Sequence, residues 1–348
     1  MQIVGSGANR FRRLDQSAFG LVHSEPSDTK QTARLERLIP LWHSHFVEIA
    51  FTFLFGLVVG SFLNVCIVRI PAGMSIISPR SRCPKCESRI KSYDNIPVLS
   101  WIFLGGRCRK CKEKISALYP AVELFTGLLF VACYLSFGLT PVGLKWAVFS
   151  CLLIVLTITD LRERLLPDAV TFTGFGLGLA FSTRTPPMDG AAQLLWGRLF
   201  HFIPRLTILS VTNAILGAAF GSFLLWFVGE AYLKIRGKEG MGLGDAKMML
   251  MIGSFFGLTR TFLTILVGSL LGSVVGVLAV PLLYVVGWKR GLARRASRRG
   301  LGGENKLRLY LAYNYHFPFG TYLGAAALLV VFFGSSALQW YYSFLPDK

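Results

Sequence analysis

Apolar residues along this chain gather into long blocks separated by short polar stretches, with no sustained period-of-two alternation, so the pattern predicts helices rather than strands. Six blocks, 47–70, 118–138, 142–159, 207–229, 261–287 and 316–335, approach or exceed the roughly 20 residues that cross a bilayer as a helix. Two more, 168–182 and 246–258, are short, and runs of that length are as often re-entrant or protein-buried as spanning. Charge decides between the alternatives. If all eight cross, loops 71–117, 161–167, 230–245 and 288–315 share one face and carry 23 lysines and arginines, against five on the other. Basic loops remain cytoplasmic. The expectation is an all-α polytopic membrane protein of about eight transmembrane helices, with residues 1–46 outside despite their six basic residues.

Composition agrees and excludes other classes. Charged residues make up 16% of the 348, too few to cover a water-facing surface of this size, and hydrophobic ones 53%. A net charge of +19 would suggest nucleic acid in a soluble protein. Here the basic loops account for it, so the expected contact is membrane lipid and no nucleic acid. Seven cysteines are odd in number and few for the length, which excludes a secreted disulfide scaffold. Residues 1–46 have no apolar run before Leu38 and no signal-peptide core, and are expected to form a mostly disordered tail. Glycines four apart (Gly56 and Gly60; Gly217 and Gly221; Gly268, Gly272 and Gly276) predict close helix contacts, the triple most strongly.

Between the first span, 47–70, and the membrane core, 118–348, lies a polar segment, 71–117, with Cys83-Pro-Lys-Cys86 and Cys108-Arg-Lys-Cys111. Paired C-x2-C motifs offer four thiolates to a tetrahedral Zn²⁺. So small a module would draw much of its folding energy from the metal. Two redox dithiols or two disulfides compete with this reading. A reducing cytoplasmic face counts against disulfides, and no thioredoxin-like βαβ pattern surrounds either pair. Cys66, Cys133 and Cys151 lie in apolar helices and read as core filling.

Acidic residues in or against membrane segments are costly and point to function. Asp160 ends an apolar run, and Asp245 follows Gly240-Met-Gly242-Leu-Gly244 and precedes Lys247 and another apolar run. With eight spans both sit at cytoplasmic helix ends at similar depth. Two facing carboxylates would share a proton, one acting as base on a water and the other as acid on the scissile group. The glycines would let an extended peptide come close. The bland readings stand beside this. Asp168, directly after Pro167, reads as a helix N-cap, Asp245 as a cap after a glycine turn, and Glu123 as a supporting or interfacial group.

Taken together these motifs resemble the type IV prepilin leader peptidases, the membrane aspartic enzymes of the G-x-G-D class. The carriers are Gly60-Ser-Phe-Leu-Asn64 with Arg69-Ile-Pro71, the cysteine module with Asn95-Ile-Pro97 and Tyr119-Pro120-Ala-Val-Glu123, Asp160 with Leu166-Pro167-Asp168, Gly240 through Lys247, and Phe317-Pro318-Phe319-Gly320. The resemblance covers about 47–335 in the family's order. It implies Asp160 and Asp245 as catalytic residues, with Gly242, Gly244, Lys247, Glu123 and Asp168 binding substrate or supporting the pair. It implies a bacterial inner-membrane enzyme, its active site facing the cytoplasm, that removes the short leader of type IV prepilins or pseudopilins. The four-cysteine branch also methylates the new N-terminus from S-adenosylmethionine, and Gly106 matches a glycine associated with that step. No G-x-G-x-x-G loop marks a soluble nucleotide site. A presenilin-like intramembrane protease and a non-enzymatic membrane assembly factor are the alternatives.

Overall fold

A computed structural model describes residues 28–186, 189–237, 242–289 and 318–344. The chain divides into two compact units, Met1–Glu48 and Ile49–Lys348, and the second holds the cysteine module and both aspartates. The described elements are helical: α1 (Asp28–Arg69), α2 (Leu99–Phe103), α3 (Leu118–Phe137), α4 (Pro141–Glu163), α5 (Asp168–Ser182), α6 (Ala191–Phe200), α7 (Leu206–Arg236), α8 (Leu243–Phe256), α9 (Leu258–Lys289) and α10 (Phe319–Tyr342). Among the described residues only two isolated β-bridges occur, both in the cysteine module. Six helices are long and apolar enough to cross a membrane: the His45–Arg69 part of α1, α3, α4, α7, the Leu258–Leu278 part of α9, and α10. The two short apolar blocks are helices too, α5 with 15 residues and α8 with 14. Of the tail expected over 1–46, residues 1–27 lie outside the described residues, and the backbone is helical from Asp28 onward.

The core forms around α8. Ten of its residues are buried, and Met248, Met249, Met251, Ile252 and Phe255 are wholly so. Phe149 of α4 packs against Phe255 with the rings tilted by 35° and centroids 4.7 Å apart, and meets Phe256 edge-on at 5.2 Å. Large side chains on the outer faces, such as Phe51, Leu128, Phe223 and Phe333, remain exposed, as a lipid-facing surface requires. Backbones touch where glycine permits. A Cβ on Gly56 would lie 2.8 Å from the Gly127 Cα, and one on Gly60 2.7 Å from the Glu123 Cα, so α1 and α3 pack with no side chain between them. The glycine triple in α9 is looser than its spacing suggests. Gly268 and Gly272 face Leu323 and Tyr322, while among the described residues nothing lies within 4 Å of a Cβ placed on Gly276.

Asp189 organises the 183–206 connection. Its carboxylate accepts from the Thr259 amide at 2.7 Å and the Thr259 hydroxyl at 2.9 Å, which caps the start of α9. Helix ends elsewhere stop for visible reasons. Thr140 caps α4 ahead of Pro141, and Arg164 ends it in the left-handed region, its amide bonding back to the Asp160 carbonyl. That stop leaves Asp160 in the last turn of α4.

Candidate active site

Asp160 and Asp245 come from helices that end and begin at the same place. Asp245 is the third residue of α8, whose N-cap is Gly242. Their common partner is the N-terminus of α10, introduced by Pro318. The first amides of a helix have no intrahelical acceptor. Here they are spent on the two carboxylates. The Thr321 amide donates to Asp160 Oδ2 at 2.7 Å, the Thr321 hydroxyl donates to the same oxygen at 3.0 Å, and the Gly320 amide donates to Asp245. Both acids are largely buried, 5% and 8% exposed. A Cβ on Gly320 would stand 2.9 Å from Asp160 Oδ2 and 3.0 Å from Asp245 Oδ1, so the two carboxylates converge on one point and only glycine fits beside them.

Thr321 is the partner of Asp160 that the sequence reading did not single out. It directly follows the Phe317-Pro318-Phe319-Gly320 segment, and its position as the third residue of a helix after proline was the available signal. Phe317, Gly240 and Met241 lie outside the described residues.

The supporting residues sort into two groups. Asp168 is the first residue of α5 and makes no cap bond, contrary to the N-cap expectation. Its two carboxylate oxygens instead take the Lys247 ammonium at 2.8 Å each, tying α5 to α8 two residues beyond Asp245. The pair is half-exposed, so its direct stabilisation is small, roughly 0–1 kcal/mol. Gly244 lets the start of α8 rest on Leu166, whose Cβ would be 3.2 Å from an added methyl, while among the described residues an added methyl on Gly242 would meet only the Gly244 nitrogen, at 3.8 Å. Glu123 is elsewhere. Its Oε2 accepts from the Val98 amide at 2.7 Å, and its other partners are Ser61 and Asn64. It fastens the cysteine module to α3 and α1 and makes no bond to either aspartate. Val98 adopts φ +61, which a β-branched residue seldom does, and the Glu123 contact holds it there.

In the module, the two cysteine pairs sit on equivalent knuckles. Each has a bridge flanking the pair (Arg82 with Arg89, Arg107 with Lys114) and a residue at positive φ just after it, Glu87 at 52° and Lys112 at 58°. Each also closes with a bond from the first cysteine's amide, to the Ser88 carbonyl at 3.0 Å and the Glu113 carbonyl at 2.8 Å. The knuckles bring all four Sγ atoms within 4.8 Å of one another, with no disulfide. Cys83 and Cys111 are 3.7 Å apart at sulfur. Four thiolates around Zn²⁺ at ~2.3 Å would stand about 3.8 Å from each other, so the cluster fits that ion. The thiols also differ in a way a bare cluster would produce. Ser88 draws Cys86 down to about 6. Cys111, although the Glu113 amide favours its thiolate, is pushed up to about 11 by partial desolvation and the neighbouring thiols. A cation removes that conflict. Flanking the cluster, Lys85 pairs with Glu113, and Arg109 forks onto Asp94 through Nε (2.9 Å) and Nη2 (2.6 Å).

Gly106 has φ +64 and lies beneath the Trp101 ring, where a Cβ would fall 2.9 Å from Cζ2. Its role in the fold is therefore to seat Trp101, whose Nε1 donates to the Ile115 carbonyl at 3.2 Å.

Comparison with known proteins places these features. A family model described as Bacterial Peptidase A24 N-terminal domain matches residues 54–137, and one described as Type IV leader peptidase family matches 147–277. A prepilin leader peptidase/N-methyltransferase of Aeromonas hydrophila is 31% identical over 318 residues, covering 83% of this chain and 92% of its own. The protein of that name from Pseudomonas aeruginosa is 30% identical over 320 residues, 85% and 94%. That from Myxococcus xanthus reaches 38% over 230 residues, 66% and 62%. No solved structure matches the chain.

Proposed function

The chain belongs to the type IV leader peptidase family, and from that premise we propose that it removes the leader of type IV prepilins or pseudopilins with the Asp160–Asp245 pair and then N-methylates the new N-terminus. It is a multi-pass membrane enzyme of both activities, as its relatives' names describe. The observation that carries the catalytic assignment is the convergence of two buried carboxylates on the N-terminal amides of α10.

The mechanism follows from that geometry. The pair works with one proton between its members, since two carboxylates facing one point cannot comfortably both ionise. The ionised member takes a proton from a water, which attacks the scissile carbonyl. The protonated member gives its proton to the carbonyl oxygen, and the member that took the water's proton then gives it to the leaving amine. The hydroxyl of the collapsing intermediate returns a proton to the first carboxylate as the new carboxyl group forms. Thr321 and Gly320 fix the carboxylates, and the positive end of α10 favours the charged member. Asp168 and Lys247 hold the start of α8 in register, Gly244 seats it on Leu166, and Gly242 leaves room for an extended substrate beside it.

Cys83, Cys86, Cys108 and Cys111 would hold Zn²⁺, which contributes folding energy to the 71–117 module and lies outside the aspartate pair. S-adenosylmethionine, when bound, supplies an electrophilic methyl group. The excess of 23 basic residues over five favours placing the module and both aspartates at the cytoplasmic side of a bacterial inner membrane.

The test is cleavage of a synthetic precursor by purified Asp160→Asn and Asp245→Asn. Each should lose roughly 10²–10⁴ in rate or more, and the double variant little beyond that. Near-native cleavage by either variant would remove that residue from the pair.

A further inference from the structure

The short helix α6 has no part in the catalytic reading, yet it is fastened firmly. It follows α5, whose Gly178 lies against Ser254 near the end of α8. Asp245 stands in the first turn of α8, so α6 sits at the end of the bundle away from the catalytic pair. Two hydrogen bonds hold it along the first turns of α7. The Ala192 amide donates to Asn213 Oδ1 at 2.8 Å, and Trp196 Nε1 donates to Thr212 Oγ1 at 3.3 Å. Asn213 also donates to the Asp189 carbonyl at 2.7 Å, just before the helix begins. These bonds fix which side of α6 faces α7.

That side carries more apolar surface than α7 covers. Ala192, Leu195, Trp196 and Leu199 follow the three- and four-residue spacing of one helical stripe. Ala192 is buried and Trp196 half-buried, whereas Leu199 stays 62% exposed. The chain then turns at His201, in the left-handed region, and presents Phe202, Ile203 and Leu206, which are 61–66% exposed. Leu206 is the first residue of α7, one of the helices long and apolar enough to span a membrane, and the exposed Ile208 and Ile215 continue the same surface along it. The patch therefore runs into a face that lipid already covers, and a protein partner would have to enter the bilayer to occupy it. Charge agrees with lipid. Arg198, His201 and Arg205 are exposed around the patch, and the acid of this connection, Asp189, is taken up by Thr259. Apolar side chains beneath a basic rim suit a helix lying in the boundary between headgroups and acyl chains.

We propose that α6 and residues 201–206 form an interfacial anchor, lying flat in the membrane surface at the end of the bundle opposite the aspartates. The Leu199 side enters the acyl chains, and Arg198 stands at the level of the phosphates. Leu194 is 68% exposed but lies on the far side of the helix from Ala192 and Trp196, so the anchor leaves this leucine in water.

Spin labels test the proposal, carried on p-acetylphenylalanine so that the seven native cysteines stay untouched. Full-length protein labelled at Leu194, Leu199 or Ile203 is purified and placed singly in nanodiscs of phosphatidylethanolamine and phosphatidylglycerol. Power saturation then reads collisions with oxygen, which concentrates in acyl chains, and with a nickel chelate confined to water. All three sites are exposed, so the label should leave the fold intact, and an unchanged elution profile checks this. Oxygen should dominate at 199 and 203, at a depth roughly 5–10 Å into the boundary, and the nickel chelate at 194. Nickel access at 199 and 203 equal to that at 194 would put the patch in water and overturn the anchor. Oxygen dominance at all three sites would mean that lipid surrounds α6, which overturns the flat placement. Shielding that arises only when two copies share a disc would give the patch to a second copy and overturn the assignment to lipid.

Discussion

Replacing Thr321 by valine keeps the volume and shape of the side chain and removes one atom's chemistry, the hydroxyl that donates to Asp160 Oδ2 at 3.0 Å. The backbone amide of the same residue, at 2.7 Å, remains. A hydrogen bond to a charged group contributes about 1.5–3 kcal/mol. If it holds the catalytic carboxylate in the transition state, its loss should lower kcat by roughly 10- to 150-fold. The loss should be much smaller in KM, because the hydroxyl faces Asp160 and not the substrate. Thr321→Ser restores the donor and should recover most of the rate, which a packing defect would not do, since serine leaves the methyl's space empty. The assay is steady-state cleavage of a synthetic precursor by detergent-purified protein, with both kcat and KM measured. Cleavage by Thr321→Val within twofold of the unaltered enzyme, or equal impairment of the serine and valine variants, would refute the argument that this hydroxyl positions Asp160.

Gly320→Ala should abolish cleavage, since its methyl would stand 2.9 and 3.0 Å from the two carboxylates; retained turnover would mean that the pair does not work in this arrangement. Asp168→Asn should cost less than about fivefold, because the Lys247 pair is half-exposed and contributes at most ~1 kcal/mol, and a loss matching that of Asp160→Asn would shift the catalytic role to it. Elemental analysis of reduced protein should find one zinc per chain, and Cys86→Ser should weaken methylation more than cleavage; equal loss of both in a folded variant would show that the module serves the peptidase directly. Single cysteines at Ser92 and Thr183 should react from opposite sides of the membrane, Ser92 from the cytoplasm, and labelling from one side only would overturn the eight-crossing topology.

The membrane helices were legible because each is a local composition: a long apolar block bounded by charge, glycine or proline. The cysteine cluster was legible because a ligand set at fixed spacing is also local. What the sequence could not show are contacts made across distance. Asp168 and Lys247 are 79 residues apart, and Thr321 reaches Asp160 over 161, with no periodic pattern linking them. Asp168 after Pro167 looked like a cap because proline often opens a helix. The structure gives its charge to Lys247 instead, an ion pair that helix–helix packing alone creates. Glu123 stands out in the sequence as an acid within an apolar helix, but only the fold reveals that it faces the module's backbone. The glycine triple was a partial guide: a Cβ on Gly268 would stand 3.0 Å from Leu323 Cδ2 and 3.4 Å from its Cα, while Gly272 is looser, because the partner's position decides whether backbones approach.

The brevity of α5 and α8 has a consequence for the surrounding lipid. At 1.5 Å per residue, helices of 15 and 14 residues extend only about 21–23 Å, against a hydrocarbon layer of ~30 Å. Their neighbours α7 and α9 have 31 and 32 residues and reach well past that thickness. α8 is enclosed by protein, but α5 presents residues such as Phe172 outward, so the acyl chains beside it meet a wall too short for them. The bilayer answers such hydrophobic mismatch by thinning, which draws headgroups down beside the helix. Thinning there would bring bulk water toward the first turn of α5 without a pore. Thick, ordered bilayers resist that thinning and should slow the enzyme, while thin ones should favour it.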